Sequence, residues 1–307
     1  ILRAVGDSTR PLYFLIFSAL TNTVLDVVFV KYFSMGIAGA AIATVIAQVL
    51  SAVLVMLLLI RCKADYRIDC RDLHITRSIL SKICAIGIPS ALQLAITAFS
   101  NMFVQSYINR FESSCMAGWT ACSKVDSFAL LPMMSLSVAI TTFVGQNLGA
   151  GKPERIKPVY RDCILTVLLI GVPMCALLYF FGRPLLGIYI AKDDPAYASV
   201  LARGMVRVTY MGMTYFVCGI METCCGMVRG LGRSWMPMVV TIFGACVLRI
   251  IWIYTIFQTH HTLDVLYLSY PVSWVVTSAV HVLCFILIYR RMMARWNAHK
   301  EEENASY

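Results

Sequence analysis

Residues 35–60 read MGIAGAAIATVIAQVLSAVLVMLLLI, a run without Asp, Glu, Lys or Arg. Coiled as an α-helix at 1.5 Å per residue it is about 39 Å long, enough to cross the roughly 30 Å hydrocarbon core of a bilayer. A helix apolar on every side lies either deep in a large core or in lipid. Composition decides between the two. The chain is 59% hydrophobic and 14% charged, against roughly a quarter charged in ordinary soluble chains, and lacks the polar residues to cover a globule. Seven further runs are long enough to span, at 12–33, 83–108, 127–143, 163–181, 208–228, 237–258 and 265–289. The run from 127 is the shortest, and its helix is expected to extend back towards Thr120. The short alternating strands of a membrane β-barrel are not seen. The fold class is therefore all-α, a polytopic integral-membrane bundle of about eight transmembrane helices.

Lys and Arg gather in cytoplasmic loops. With the first ten residues placed inside and the spans alternating, the inner segments hold 18 basic residues and the outer loops 5, while Lys124, Arg207 and Arg249 fall within or near spans. The polar stretch at 61–82 and the C-terminal tail at 292–307 are then cytoplasmic. The net charge of +10 reads as topology and attraction to anionic membrane lipid, not as nucleic-acid binding. Twelve cysteines are scattered, mostly in apolar runs, where cysteine acts as a small hydrophobe. The vicinal Cys224 and Cys225 lack metal-ligand spacing. No HExxH, GxSxG or ligand-spaced His or Cys pair occurs, so nothing points to a membrane enzyme. The triplet Asn304-Ala305-Ser306 has the form of a glycosylation acceptor, but the charge rule places it in the cytoplasm.

The segment LRAVGDSTRP at 2–11 returns as VRGLGRSWMP at 228–237, with Arg3, Gly6, Ser8 and Pro11 matched by Arg229, Gly232, Ser234 and Pro237. Each copy leads into a span, a short outer connection and another span, so the first sixty residues correspond to 228–290. Parallel repeats of six helices are a transporter architecture with the pathway between the halves. Residues 1–60 then form the end of an N-lobe, 61–82 a linker and 83–291 a C-lobe. The matching part before Ile1 would be four helices, as expected of a fragment or truncated gene product.

The string GQNLGAGKPERI at 145–156, the opening motif followed by NTVLD at 22–26, and Gly87-Ile88-Pro89 at the start of the third span together resemble the multidrug and toxic compound extrusion (MATE) family of secondary transporters. The likeness covers essentially the whole chain, as helices five to twelve of a twelve-helix, two-lobe, pseudo-symmetric fold. A phosphate loop is disfavoured, because Gln146 stands at its first glycine and Pro153 at its hydroxyl position.

Ionisable groups inside a bilayer mark candidate sites. Asn22 and Asp26 share a helix face four residues apart, and Asp26 and Thr44 each lie nine residues from the turn at Met35. The three suit a small oxygen-lined pocket, in which a carboxyl exchanges a proton or, with amide and hydroxyl oxygens, holds Na⁺. The resemblance implies that Asn22, Asp26 and Thr44 form an N-lobe cation site completed by an Asp on the first helix, which lies outside this chain. Alternatively, Asp26 merely bonds a neighbouring helix.

Glu222 is the second intramembrane acid. It either faces a cavity or pairs with Arg249 or Arg207 as a structural ion pair. Some family members carry an acid where this chain has Cys218 and a Glu where it has Thr97, which puts an acidic C-lobe site in doubt. Arg249 lies too deep to snorkel and is expected to need a carboxylate. Lys124 and Asp126 are expected to neutralise each other. His281 reads as a hydrogen-bonded histidine or a proton relay. Gln93, Thr97, Asn101 and Gln105 recur every four positions and make a stripe that lines a cavity or bonds across helices. Sixteen methionines offer adaptable apolar contacts. Pro89, Pro132, Pro173 and Pro271 mark places where spans bend.

These residues fit a monomeric antiporter of the inner membrane. It exports organic, cationic and amphipathic compounds by alternating access in exchange for H⁺ or Na⁺, with no cofactor beyond that ion. A lipid-linked precursor flippase of related fold would favour a strongly basic central cavity, whereas the basic residues here sit mainly at the inner surface. A non-transporting truncated remnant is the third reading.

Overall fold

The computed structural model describes residues 1–64, 66–69 and 74–305, without the side chains of 299, 300 and 303–305. Residues 65 and 70–73 of the expected linker, and 306–307 of the tail with the end of the glycosylation-like triplet, lie outside the described residues. Eight helices are long and apolar enough to cross a membrane. They are α1 (Thr9–Tyr32), α2 (Gly36–Arg61), α3 (Arg77–Ile108), α4 (Ser113–Gly149), α5 (Pro153–Gly187), α6 (Tyr197–Gly230), α7 (Trp235–Thr259) and α8 (Leu263–Ala305). No strand occurs among the described residues. The protein is an all-α, multi-pass membrane protein.

The helices outrun the apolar stretches that announce them. Helix α4 begins at Ser113 instead of near Thr120, and α3 takes in Arg77 and Lys82 from the expected linker. Helix α6 starts at Tyr197, and a 3₁₀ turn at Gly212–Thr214 lies near the expected start of its span. The reason is that hydropathy reports only the stretch that needs lipid. Amphipathic ends carry the same backbone hydrogen bonds onward. Pro89, Pro132, Pro173 and Pro271 all lie within continuous helices.

Two compact units divide at Arg77. The first is the α1–α2 hairpin. Helix α2 buries Gly39, Ala43 and Ala47, small residues at four-residue spacing that let a neighbouring backbone approach, and Ser18 Oγ of α1 donates to the Ala47 carbonyl at 2.6 Å. Most large side chains of α1 point outward, as lipid permits. In the second unit α4 and α6 meet along a seam of small and hydroxyl residues. A Cβ on Gly226 would come within 2.6 Å of the Ser137 carbonyl oxygen, and one on Gly230 within 2.8 Å of the Thr141 carbonyl oxygen. Ser137 Oγ donates to the Glu222 carbonyl at 2.7 Å and Thr141 Oγ1 to the Gly226 carbonyl at 2.9 Å.

The duplicated motif has one geometry in both copies. Gly6 has φ +88° and Gly232 has φ +76°. Gly6 N–H donates to the Arg3 carbonyl (3.1 Å) and Asp7 N–H to that of Leu2 (3.0 Å). Gly232 N–H donates to Arg229 (2.9 Å) and Arg233 N–H to Val228 (3.2 Å). This pair of bonds closing on a left-handed glycine is the Schellman geometry, which follows the end of α6 at Gly232 and closes a turn at Gly6. Ser8 and Ser234 then open the next helices at their N-caps.

A side chain at a left-handed position costs about 1–2 kcal/mol, whereas Gly87 lies inside α3 facing open space, where alanine gains about 0.5–1 kcal/mol. Thermal unfolding in detergent should therefore show Gly232→Ala losing stability and Gly87→Ala holding or gaining it. Equal shifts for the two would contradict the elbow geometry.

Candidate functional site

The six-helix unit holds a half-open cavity of about 620 Å³. Gln93, Thr97, Asn101 and Gln105 of α3 all line it, as do Arg207 and Glu222 of α6 and Arg249 of α7. Gln93 is buried, Thr97 and Gln105 are half-buried, and Asn101 is the most open of the four. The stripe thus presents amide and hydroxyl groups to one space. Trp119, Tyr215, Tyr270 and Trp274 add aromatic surface, and Met134, Met211 and Met221 add adaptable apolar surface.

The charges are partnered differently from expectation. Asp126 pairs with Arg207, not with Lys124. Residues two apart on a helix face different ways, so Lys124 is exposed while Asp126 is buried. Arg207 reaches across from α6 and also donates to the Trp119 carbonyl at 2.7 Å and to Ser123 Oγ at 3.0 Å, with its guanidinium 3.6 Å from the centre of the Trp119 ring. Trp119, Ser123 and Asp126 share one face of α4 at i, i+4 and i+7. That spacing was legible, but the arginine that completes it stands 81 residues away.

Arg249 finds no carboxylate among the described residues. Its Nε donates to Ser273 Oγ at 2.9 Å and its Nη1 to Asn101 Oδ1 at 3.3 Å, and the guanidinium lies 4.0 Å over the Tyr270 ring. Neutral oxygens and a π-face take the place of the expected counter-ion. Glu222 makes no ion pair with Arg207, Arg249 or any other described residue; it is half-buried and open to the cavity. A polar chain runs on from here. Arg229 Nη2 donates to Gln93 Oε1 at 3.3 Å, Gln93 Nε2 donates to Thr241 Oγ1 at 3.2 Å, and Thr241 Oγ1 lies 3.3 Å from Nε2 of the fully buried His281.

In the two-helix unit Asn22 Nδ2 donates to Thr44 Oγ1 at 3.4 Å, and Thr44 Oγ1 donates to the Ala40 carbonyl at 2.9 Å. The hydrogen bond to Thr44 comes from Asn22. Asp26 is half-buried one turn further on, and its Oδ1 is enclosed without a hydrogen-bond partner among the described residues. Immediately beyond it α1 widens into a π-helical turn at Val28–Tyr32. This uses residues at a different rate from the α-helix assumed in counting nine positions from the turn.

The MatE family model matches residues 89–255. A probable multidrug resistance protein, YoeA of Bacillus subtilis, is 28% identical over 249 residues, covering 79% of this chain and 53% of that protein. A protein of Shewanella oneidensis named FAD transporter is 29% identical over 200 residues, covering 63% and 43% respectively. Among solved structures, a MATE transporter in complex with MaL6 superposes with a TM-score of 0.86 at 21% identity, covering 97% of this chain and 65% of that one. The chain spans about half the length of the curated relatives it matches.

Removing one partner of a buried ion pair strands the other, at about 3–5 kcal/mol. Asp126→Ala is therefore expected to lower stability in detergent by that order, and Lys124→Ala by no more than about 0.5 kcal/mol. A large loss at Lys124 with none at Asp126 would reverse the assignment.

Proposed function

The chain belongs to the MatE family, and from that membership together with the cavity we propose that it is an antiporter exporting organic compounds by alternating access, in exchange for H⁺ or Na⁺ taken up at Asp26. Family members are transporters, not enzymes, and relatives named for multidrug resistance and for FAD support organic molecules as cargo. The observation that carries the coupling role is the enclosed, unbonded Asp26 Oδ1 beside the Asn22–Thr44 contact. A buried acceptor without a donor is costly in a structural role. A proton or a sodium ion would satisfy it, with Asn22 and Thr44 supplying neutral oxygens.

Cargo would occupy the cavity of the six-helix unit, where the aromatic and methionine surface accepts varied apolar bodies. A cationic group on an amphipathic cargo would find Glu222, a carboxylate with no arginine bound to it. The protein would work as a monomer in the cytoplasmic membrane, with the 61–82 linker and the C-terminus inside, as the distribution of basic residues favours.

Cells expressing the protein should expel ethidium against its gradient, and Asp26→Asn at matched membrane abundance should bring efflux down to the level of cells without the protein. Undiminished efflux in that variant would remove Asp26 from the coupling step. Replacing external Na⁺ with K⁺ at fixed pH then separates the two ions.

A further inference from the structure

The cavity holds a guanidinium that the protein itself leaves short of charge compensation. Arg249 lies in the middle of α7 and is 3% exposed. Such a group inside a membrane protein normally meets a carboxylate. Arg207 does so with Asp126, whereas Arg249 meets only the Ser273 hydroxyl, the Asn101 amide oxygen and the Tyr270 ring. Its Nη2 donates to no described residue. The neutral partners nonetheless fix the plane of the fork. Ser273 holds Nε, Asn101 holds Nη1 and itself accepts from the Tyr270 hydroxyl at 3.5 Å, and the ring supports the guanidinium face. A planar, oriented fork with a free edge on a cavity is the geometry that recognises carboxylate or phosphate oxygens.

We propose that Arg249 is an anion subsite within the cargo cavity, taking the carboxylate or phosphate group of an aromatic cargo whose ring lies on the Tyr270 and Trp274 side. The inference rests on the reading of this cavity as the place where cargo binds, and it deepens that reading by naming the cargo's chemistry. With Glu222 unpaired in the same space, one cargo can present a cation to the acid and an anion to the arginine. The local structure supports the assignment, because α7 is π-helical over Ile242–Val247, ending two residues before Arg249. Turns of this kind recur at functional sites.

The test uses the purified chain in nanodiscs of phosphatidylcholine, titrated calorimetrically with 1-naphthyl phosphate, neutral 1-naphthol and cationic 1-naphthylmethylammonium, with empty discs as reference. The phosphate ester should bind about tenfold to a hundredfold tighter than the naphthol, the range for hydrogen bonds to a charged group. Arg249→Gln should remove that preference, and Arg249→Lys, which keeps the charge but not the fork, should reduce it. The lysine variant answers the question should the glutamine variant not fold. Naphthyl compounds binding without a preference for the anion, or a preference unchanged in both variants, would overturn the subsite alone. No binding of any naphthyl compound would overturn the cargo reading as well. Repeating the titration in discs containing phosphatidylglycerol identifies the source. Competition by that lipid assigns the subsite to a headgroup phosphate, and undiminished binding assigns it to a free solute. Neither outcome depends on Asp26.

Discussion

A charge buried in a membrane bundle is costly unless another group matches it. The Asp126–Arg207 pair is the clearest case in this protein. It ties α4 to α6, and its other bonds, to the Trp119 carbonyl and Ser123, draw on the same face of α4. Further along, that face carries Ser137 and Thr141, whose hydroxyls hold the α6 backbone where Gly226 and Gly230 admit close approach. The ion pair and the small-residue seam therefore set one rotation of α4 against α6. Trp119, Arg207, Tyr215 and Glu222 reach the cavity because of that rotation.

Much of the scaffold was legible because its signals are local. An all-round apolar run needs lipid whatever it packs against, so eight spans follow from composition and length. The elbows were legible for a different reason: a left-handed turn accepts glycine and little else, so Gly6 and Gly232 leave their mark on the sequence wherever the neighbours lie. The four-residue stripe from Gln93 to Gln105 was likewise a matter of helical period alone. Helix ends were not legible. Arg203 and Arg207 interrupt the hydropathy of α6 without interrupting its hydrogen bonds, and the span looked shorter than it is.

The partners of the buried charges were hidden because they depend on packing between distant segments. Lys124 is near Asp126 in sequence and on another face of the helix. Arg207 is far in sequence and in contact. The two π-helical turns had no local signature either. One follows Asp26 at Val28–Tyr32 and the other precedes Arg249 at Ile242–Val247. In the second, Gly244 comes so near Thr277 that an added Cβ would meet its side chain. The widened turn is thus fitted to α8, and it displaces every residue after it around the helix axis relative to an unbroken α-helix. Counting by 3.6 residues cannot foresee where Arg249 then points.

The three arginines of the cavity divide by what satisfies them, and that division bears on transport. Arg207 is charge-matched by Asp126 and bonded at both terminal nitrogens, to that carboxylate, a carbonyl and a hydroxyl, under a tryptophan face, so a ligand offering an anion would compete with partners already in place. Arg229 is engaged with Gln93 and Cys225. Arg249 alone combines deep burial with purely neutral partners, whereas Glu222 makes no ion pair but lies within the field of Arg229. A carrier must release what it binds, which calls for groups positioned by the scaffold but not neutralised by it. A charge-matched pair gives rigidity and a single geometry, while an oriented but uncompensated charge gives a site whose compensation must arrive from outside. In this cavity the first role falls to Asp126 and Arg207, and the second is open to Arg249.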